Sequence, residues 1–299
     1  MKKYFTYLIS TFIFTSLIFA QITESMVEFR IGKQSALRVV LIDVDKKLVE
    51  DEWKLYTKPY GKYNKKKGEY INLGVNLKGL TNPVDWYMKL DKDKKNIILK
   101  LGILSNSEFL TSSNQSENYT TIENFLEGFV FAVEKAKIKA EYETERKAHG
   151  KLQKKLKKLK EDYNSNNKAI EKYTKKIKNT EKDNKSNLKK QANTKTEISE
   201  QGLIVEGILS SPSDSINEGE VSPEYEEANK KLLKLQKNLE KLVGRHEANL
   251  KSIDKLIKKI EKAEKSNKSI LKDESKTKKK ISEQGKVVDQ LRRKLEAMR

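Results

Sequence analysis

Residues 141–205 recur at 224–288 in one frame, without a gap and 83 positions apart, and 33 of the 65 aligned residues are identical. EYE opens both copies at 141–143 and 224–226, KLQK follows at 151–154 and 234–237, and ISEQG stands near the end of each at 198–202 and 281–285. Both copies are Lys-rich helical sequence. The repeated unit is therefore a length of rod and not a catalytic site.

Within the first copy, apolar or seam-compatible residues alternate in steps of four and three through Tyr142, His149, Leu152, Leu156, Leu159, Tyr163, Ile170, Tyr173 and Ile177, with Glu145 and Asn166 at the remaining positions. The second copy carries Leu235, Leu239, Leu242, Ile253 and Ile260 in the same frame. An apolar seam of two positions in seven, held this long, specifies a coiled coil rather than a helix of a globular core. Two successive steps of four, from Asn184 to Leu188 and again from Asn267 to Leu271, read as a stutter that locally unwinds the supercoil. Residues 178–197 and 261–280 are so polar that they are expected to be the soft parts of the helices.

Thr120-Thr121-Ile122-Glu123 fits a capping box with Thr120 as cap, which starts the first long helix at 121. Pro212 and Pro223 bound a serine-rich connection over 210–223, so that helix ends near Leu209. Ser222 then caps a second helix over 224–299, with Pro223 at its tolerated first position. A connection of this length permits a fold-back without enforcing one. Two covalently joined seams meet at high effective concentration, so the preferred arrangement is an antiparallel hairpin within one chain; extended or intermolecular pairing stays open.

The region 21–120 has a different grammar. Ala36–Val44 is a β-branched apolar run, and Asp45 is placed to cap a helix whose Val49, Trp53, Tyr56 and Tyr60 share one face before Pro59 and Gly61 close it. A basic loop over 62–68 leads to a strand at Tyr70–Leu77, Asn82-Pro83 turns the chain, and Val84–Leu90 with Ile97–Ile103 reads as a hairpin. These elements predict a small two-layer α+β head, anchored by Trp53, Trp86, Phe109 and Phe125, ahead of a long α-helical coiled coil.

The stretch from Trp53 to Lys62, the basic loop, and Asn82-Pro83-Val84-Asp85 before an aromatic strand, together with the coiled-coil tail, resemble a family of uncharacterised exported bacterial proteins. That family pairs a small α+β head with a single coiled-coil segment, so the resemblance implies the domain layout and no chemistry. This chain departs from the pattern by carrying the helical segment twice.

Lys2 and Lys3, an apolar run from Tyr4 to Phe19, and Ala20 before Gln21 have the form of a cleavable secretory signal over 1–20. The run is short for a membrane-crossing helix, which disfavours an uncleaved anchor. The expected destination is the periplasm or the exterior, with no integral membrane segment after cleavage. The chain has no cysteine, so it has neither disulfides nor a thiolate metal site.

Net charge is +20, and residues 131–299 hold 44 Lys/Arg against 28 Asp/Glu, whereas 22–130 hold 17 against 15. Such an excess favours anionic polymers or glycolipids as partners, although lysine is also an ordinary solvated helix surface. Lys62, Lys65, Lys66 and Lys67, beside Tyr60 and Tyr63, are the local candidates for anion contact. His149 and His246 both fall on the seam and do not correspond under the repeat, and no catalytic, metal or cofactor motif occurs. The expectation is a non-enzymatic exported scaffold, spacer or interaction module, pairing with a protein or with itself through the coiled coil. The alternatives are a polyanion- or client-binding protein with basic helical arms and, more distantly, an enzymatic head.

Overall fold

The computed structural model describes residues 21–61, 63–114, 116–210 and 222–299. The expected secretory segment, Lys62 and most of the Ser/Pro connection lie outside the described residues. Among the described residues seven strands form one antiparallel sheet: β1 (Thr23–Phe29), β2 (Gly32–Leu41), β3 (Asn64–Lys66), β4 (Glu69–Val75), β5 (Val84–Asp93), β6 (Asn96–Ser105) and β7 (Glu108–Phe109). Their spatial order is β1-β2-β6-β5-β4-β3, with β7 paired to β6. Three helices complete the fold of the described residues: α1 (Lys46–Thr57), which ends in a single 3-10 turn, α2 (Ser116–Ser210) and α3 (Pro223–Ala297). The fold class is α+β. The chain divides into two compact units, one of residues up to Ala148 with Gln284–Arg299, the other His149–Glu283.

In the first unit, α1 starts where the Asp45 side chain accepts a hydrogen bond from the Lys47 N–H at 2.8 Å. It stops where Pro59 and Gly61, at φ +114°, redirect the backbone. Its apolar face puts Val49 and Trp53 fully out of solvent on the sheet. The first turns of α2 cover the same face with Tyr119, Ile122, Phe125, Leu126 and Phe129. Trp53 is the hub: its ring lies 5.0 Å from Phe129 and 5.9 Å from Trp86, and Trp86 lies 4.7 Å from Phe125. Edge-on and tilted rings at these distances add to the burial energy of the cluster.

Three expectations for this unit need correction. The helix expected to be capped by Thr120 begins a turn earlier, at Ser116, because Tyr119 must be helical to reach the core with Ile122. Phe109 is not a partner of the tryptophans: β7 places it on the other sheet face, stacked 6.5 Å from Phe29 and tilted against Tyr87 at 6.0 Å. Among the described residues of the stretch expected as a basic loop over 62–68, Asn64, Lys65 and Lys66 pair with β4 and Lys67-Gly68 turns, so these residues form a hairpin and not a free loop. Both turn residues have positive φ, +47° and +81°, which matches the twist of the strands they join.

Gly102 on β6 is where the second face is tightest. A Cβ there would lie 2.8 Å from Phe29 Cε2 and 3.0 Å from Phe109 Cε1. Gly102→Ala is expected to destabilise this unit by about 1–3 kcal/mol through forced displacement of both rings. Urea unfolding followed by near-ultraviolet circular dichroism measures it, and an unchanged midpoint would show that the rings yield freely.

The second unit is a pair of antiparallel helices. Asn166 bonds Asn267 at 3.0 Å, Asn249 bonds Asn184 at 2.8 Å, Gln191 bonds the Leu242 carbonyl at 3.2 Å and Gln201 that of Ala228 at 3.2 Å, so one residue number falls as the other rises. All ten expected seam residues, Leu152, Leu156, Leu159, Ile170, Ile177, Leu235, Leu239, Leu242, Ile253 and Ile260, are half-buried, as two-helix packing allows.

The stutter is a misreading. Asn184, Asn187, Gln191 and Thr194 are buried while Leu188 is half exposed, and Asn267, Ile270 and Thr277 are buried while Leu271 is half exposed. Steps of three and four therefore continue unbroken through both stretches. The polar residues hold the seam and the leucines point outward, because the phase is set by the whole helix and not by one apolar residue. The segments expected to be soft are continuous helix for the same reason.

Candidate functional site

The second unit owes its specificity to polar groups inside its seam. Asn184 is 6% exposed and Asn267 8%, and each meets an asparagine of the other helix. Asn267 also donates to Asn167 Oδ1 at 2.7 Å, and Gln191 Nε2 donates to Asn187 Oδ1 at 2.7 Å. Asn166 aligns with Asn249, and Asn184 with Asn267, under the shift of 83. The contact Asn166–Asn267 is thus the exchange-related counterpart of Asn184–Asn249. The pairing has an approximate two-fold relation in which each copy reads the other as it would read itself.

Buried amides paired this way contribute little net stability, but leaving one unpaired costs its desolvation. Sliding one helix by seven residues would set Asn184 against Leu242 or Leu256. Polar seam positions therefore select one register out of several that the leucines alone would accept. Sequence reasoning placed Asn166 on the seam but missed this role. The signal available was asparagine at the same two seam positions of both copies.

The outer surface is cationic. Over the paired stretches 151–195 and 238–282, thirty Lys/Arg stand against twelve Asp/Glu, and all thirty are exposed. Only Lys157, Lys258 and Lys278 among them form ion pairs in the described structure, each with an acid four residues away on its own helix.

No protein-family model matches the chain, and no curated protein matches it.

The lysines expected to contact anions in the first unit are only partly available. Lys65 is held by Glu50 at 3.1 Å and sits 4.8 Å from the Tyr70 ring centre. Burial works against the Glu50 charge, but the Tyr70 hydroxyl and the Lys65 ammonium outweigh it and hold the carboxyl below its usual range. Lys66 and Lys67 are exposed, and Lys62 lies outside the described residues. One basic side chain of the stretch is thus spent on an internal pair.

A shallow hollow of about 550 Å³ in the same unit is lined by α1 and α2 residues that include Asp45, Asp51, Glu52, Lys139 and Glu143. Burial raises the Glu52 carboxyl, with Lys139 opposing. Among the described residues no group of three or more His, Cys, Asp or Glu side chains is placed to hold a metal ion, and no helix is long and apolar enough to cross a membrane. His246 lies half-buried on the seam and its Nδ1 has no hydrogen-bond partner.

Glu123 gives a pH test of the head. Burial, then the Glu127 and Glu24 carboxylates, raise it above 4.5. A carboxyl raised on folding supports the folded state below its ordinary value and loses that contribution as pH rises through the raised value. Glu123→Gln should therefore stabilise the chain by a few tenths of a kcal/mol at pH 7 and leave it unchanged near pH 4. Thermal melts at the two pH values decide it; equal shifts at both would point to packing instead of charge.

Proposed function

We propose that this is an exported, non-enzymatic protein that acts as an envelope scaffold, spacer or protein-interaction module through its paired helices. The observation that supports the reading is the seam: a long helix pair whose register is set by asparagines that recur in both copies. Such pairing spends its polar groups on alignment. The charged and apolar amino-terminal segment of the sequence supports export. Photo-crosslinkers placed at exposed helix positions of the intact chain, in living cells, should capture a discrete envelope protein. Capture of none, or a secreted form that fails to begin at Gln21 by mass spectrometry, would overturn the scaffold and the export parts respectively.

A second reading is favoured by the thirty exposed cations: the helices bind a polyanion. Its mark is binding that collapses with salt.

A further inference from the structure

The two edges of the helix pair differ in chemistry. On α3 the residues one position past Leu242, Asn249, Leu256 and Ile270 of the seam are Val243, Leu250, Ile257 and Leu271, each between 37% and 49% exposed. They stand in one seven-residue frame, with Glu264 as the one interruption, over about 42 Å of helix. The equivalent positions of the first copy hold Lys160, Asn167, Thr174 and Leu188, so the stripe belongs to α3 and not to the repeat. Leu188 joins it at one end, because the Asn184–Asn249 and Gln191–Leu242 contacts bracket it at the height of Val243. On the opposite edge α3 shows Arg245, Ser252 and Lys259.

A second row runs beside the stripe. Glu240, Glu247, Asp254 and Glu261 stand three residues before or four after its members, which makes them neighbours on the helix surface, and all four are exposed. Only Asp254 of the four has an ion pair in the described structure, with Lys258 at 2.7 Å. In a chain of net charge +20, an acid at one position of four consecutive heptads is a local exception.

A seam of two positions in seven suffices for two helices, and an apolar third position beside it widens the face to what a further helix packs on. The seven-residue period selects a helix. A helix with the same repeat supercoils with the pair and keeps its own stripe on this one along its length, whereas the side chains of a strand return every ~6.6 Å. A surface of anionic lipid would meet the acidic row. A second copy set antiparallel, stripe on stripe, puts acidic row beside acidic row; set over α2, the stripe meets Lys160, Asn167 and Thr174. We propose that this edge docks one amphipathic helix of another protein, with an apolar residue every seven positions over the stripe and Lys or Arg on the flank beside the acidic row. This rests on the interaction-module reading and adds to it the surface and the chemistry of the partner.

The probe is a labelled synthetic peptide of four heptads with Leu along one stripe, Lys on one flank and Glu on the other, held at nanomolar concentration so that it does not pair with itself. Fluorescence anisotropy with the full chain should show it binding about tenfold tighter than the same peptide with Glu on both flanks, the reverse of what net charge alone predicts. Leu250→Gln with Ile257→Gln should weaken the Lys-flanked peptide at least about tenfold. Glu247→Lys with Asp254→Lys should invert the ranking of the two peptides. Arg245→Gln with Ser252→Gln, on the opposite edge, should change neither. Circular dichroism verifies that every variant stays helical. Equal affinity for the two peptides, or no loss on changing Leu250 and Ile257, overturns the docking edge. In living cells, photo-crosslinkers at Leu250 and Ile257 should capture a partner and those at Ser252 and Lys259 should not. Capture from the opposite edge alone overturns this surface while the interaction module stands. A product of twice the chain mass overturns it in favour of a second copy, and no capture from either edge overturns both.

Discussion

A Trp53→Ala chain is expected to lose the near-ultraviolet circular dichroism of its head and to unfold there at far lower urea, while most of its far-ultraviolet helical signal persists. The Trp53 side chain is fully buried, and its ring touches those of Phe125, Phe129 and Trp86. Truncating such a residue costs about 3–5 kcal/mol, against about 5–15 kcal/mol for a whole domain. Two separate transitions should appear, because the helix pair of residues 149–283 forms its own compact unit. A single cooperative transition, shifted as a whole, would show that the two units melt together.

Changing Asn166, Asn184, Asn249 and Asn267 to Leu at once should raise the melting temperature of the helix pair. Each substitution replaces a buried or half-buried seam amide by an apolar group that matches its neighbours. Both partners of each cross-helix pair go together, so that only one half-buried group, Asn167, loses a donor. The expected loss is uniqueness: light scattering should report a spread of masses, because a seam of leucines accepts several registers and chain numbers. Asn184→Ala alone should do the opposite. It strands the Asn249 amide that donates to it and costs about 1–3 kcal/mol. A single sharp mass for the fourfold variant, with a lower melting temperature, would remove the register role.

Much of the architecture was legible because its signals are local or periodic. Asp45 caps α1 as its position before an amphipathic stretch implies, and the Tyr225 N–H bonds the Ser222 hydroxyl at 3.2 Å where the proline-led start of α3 was expected. The helix pair followed from a seam that could be counted. What escaped was decided at a distance. β1 reads as TESMVEF, with Glu24, Met26 and Glu28 exposed, and its strand character comes from pairing with β2 along its whole length. Phe109 looked like a core anchor, but the two-residue turn at Asn106-Ser107, both at positive φ, folds it onto the other face of the sheet. The polar stretch around Asn187 reads as a fault when apolarity alone marks a seam position. The facing helix supplies what holds the amides there: Asn184 meets Asn249, and Gln191 reaches the Leu242 carbonyl.

The same cross-strand amides restrict how the chain can change in length. Seven residues removed from α2 between Asn166 and Asn184 would leave the apolar phase of that helix intact. Yet the two asparagine contacts could no longer be made together, because their separation on α3 would still be the original one. Either one contact opens or a matching cut must be made between Asn249 and Asn267. Insertions and deletions in this region are therefore tolerated in matched pairs, one in each helix, and homologues of different length should differ in both arms by the same number of residues.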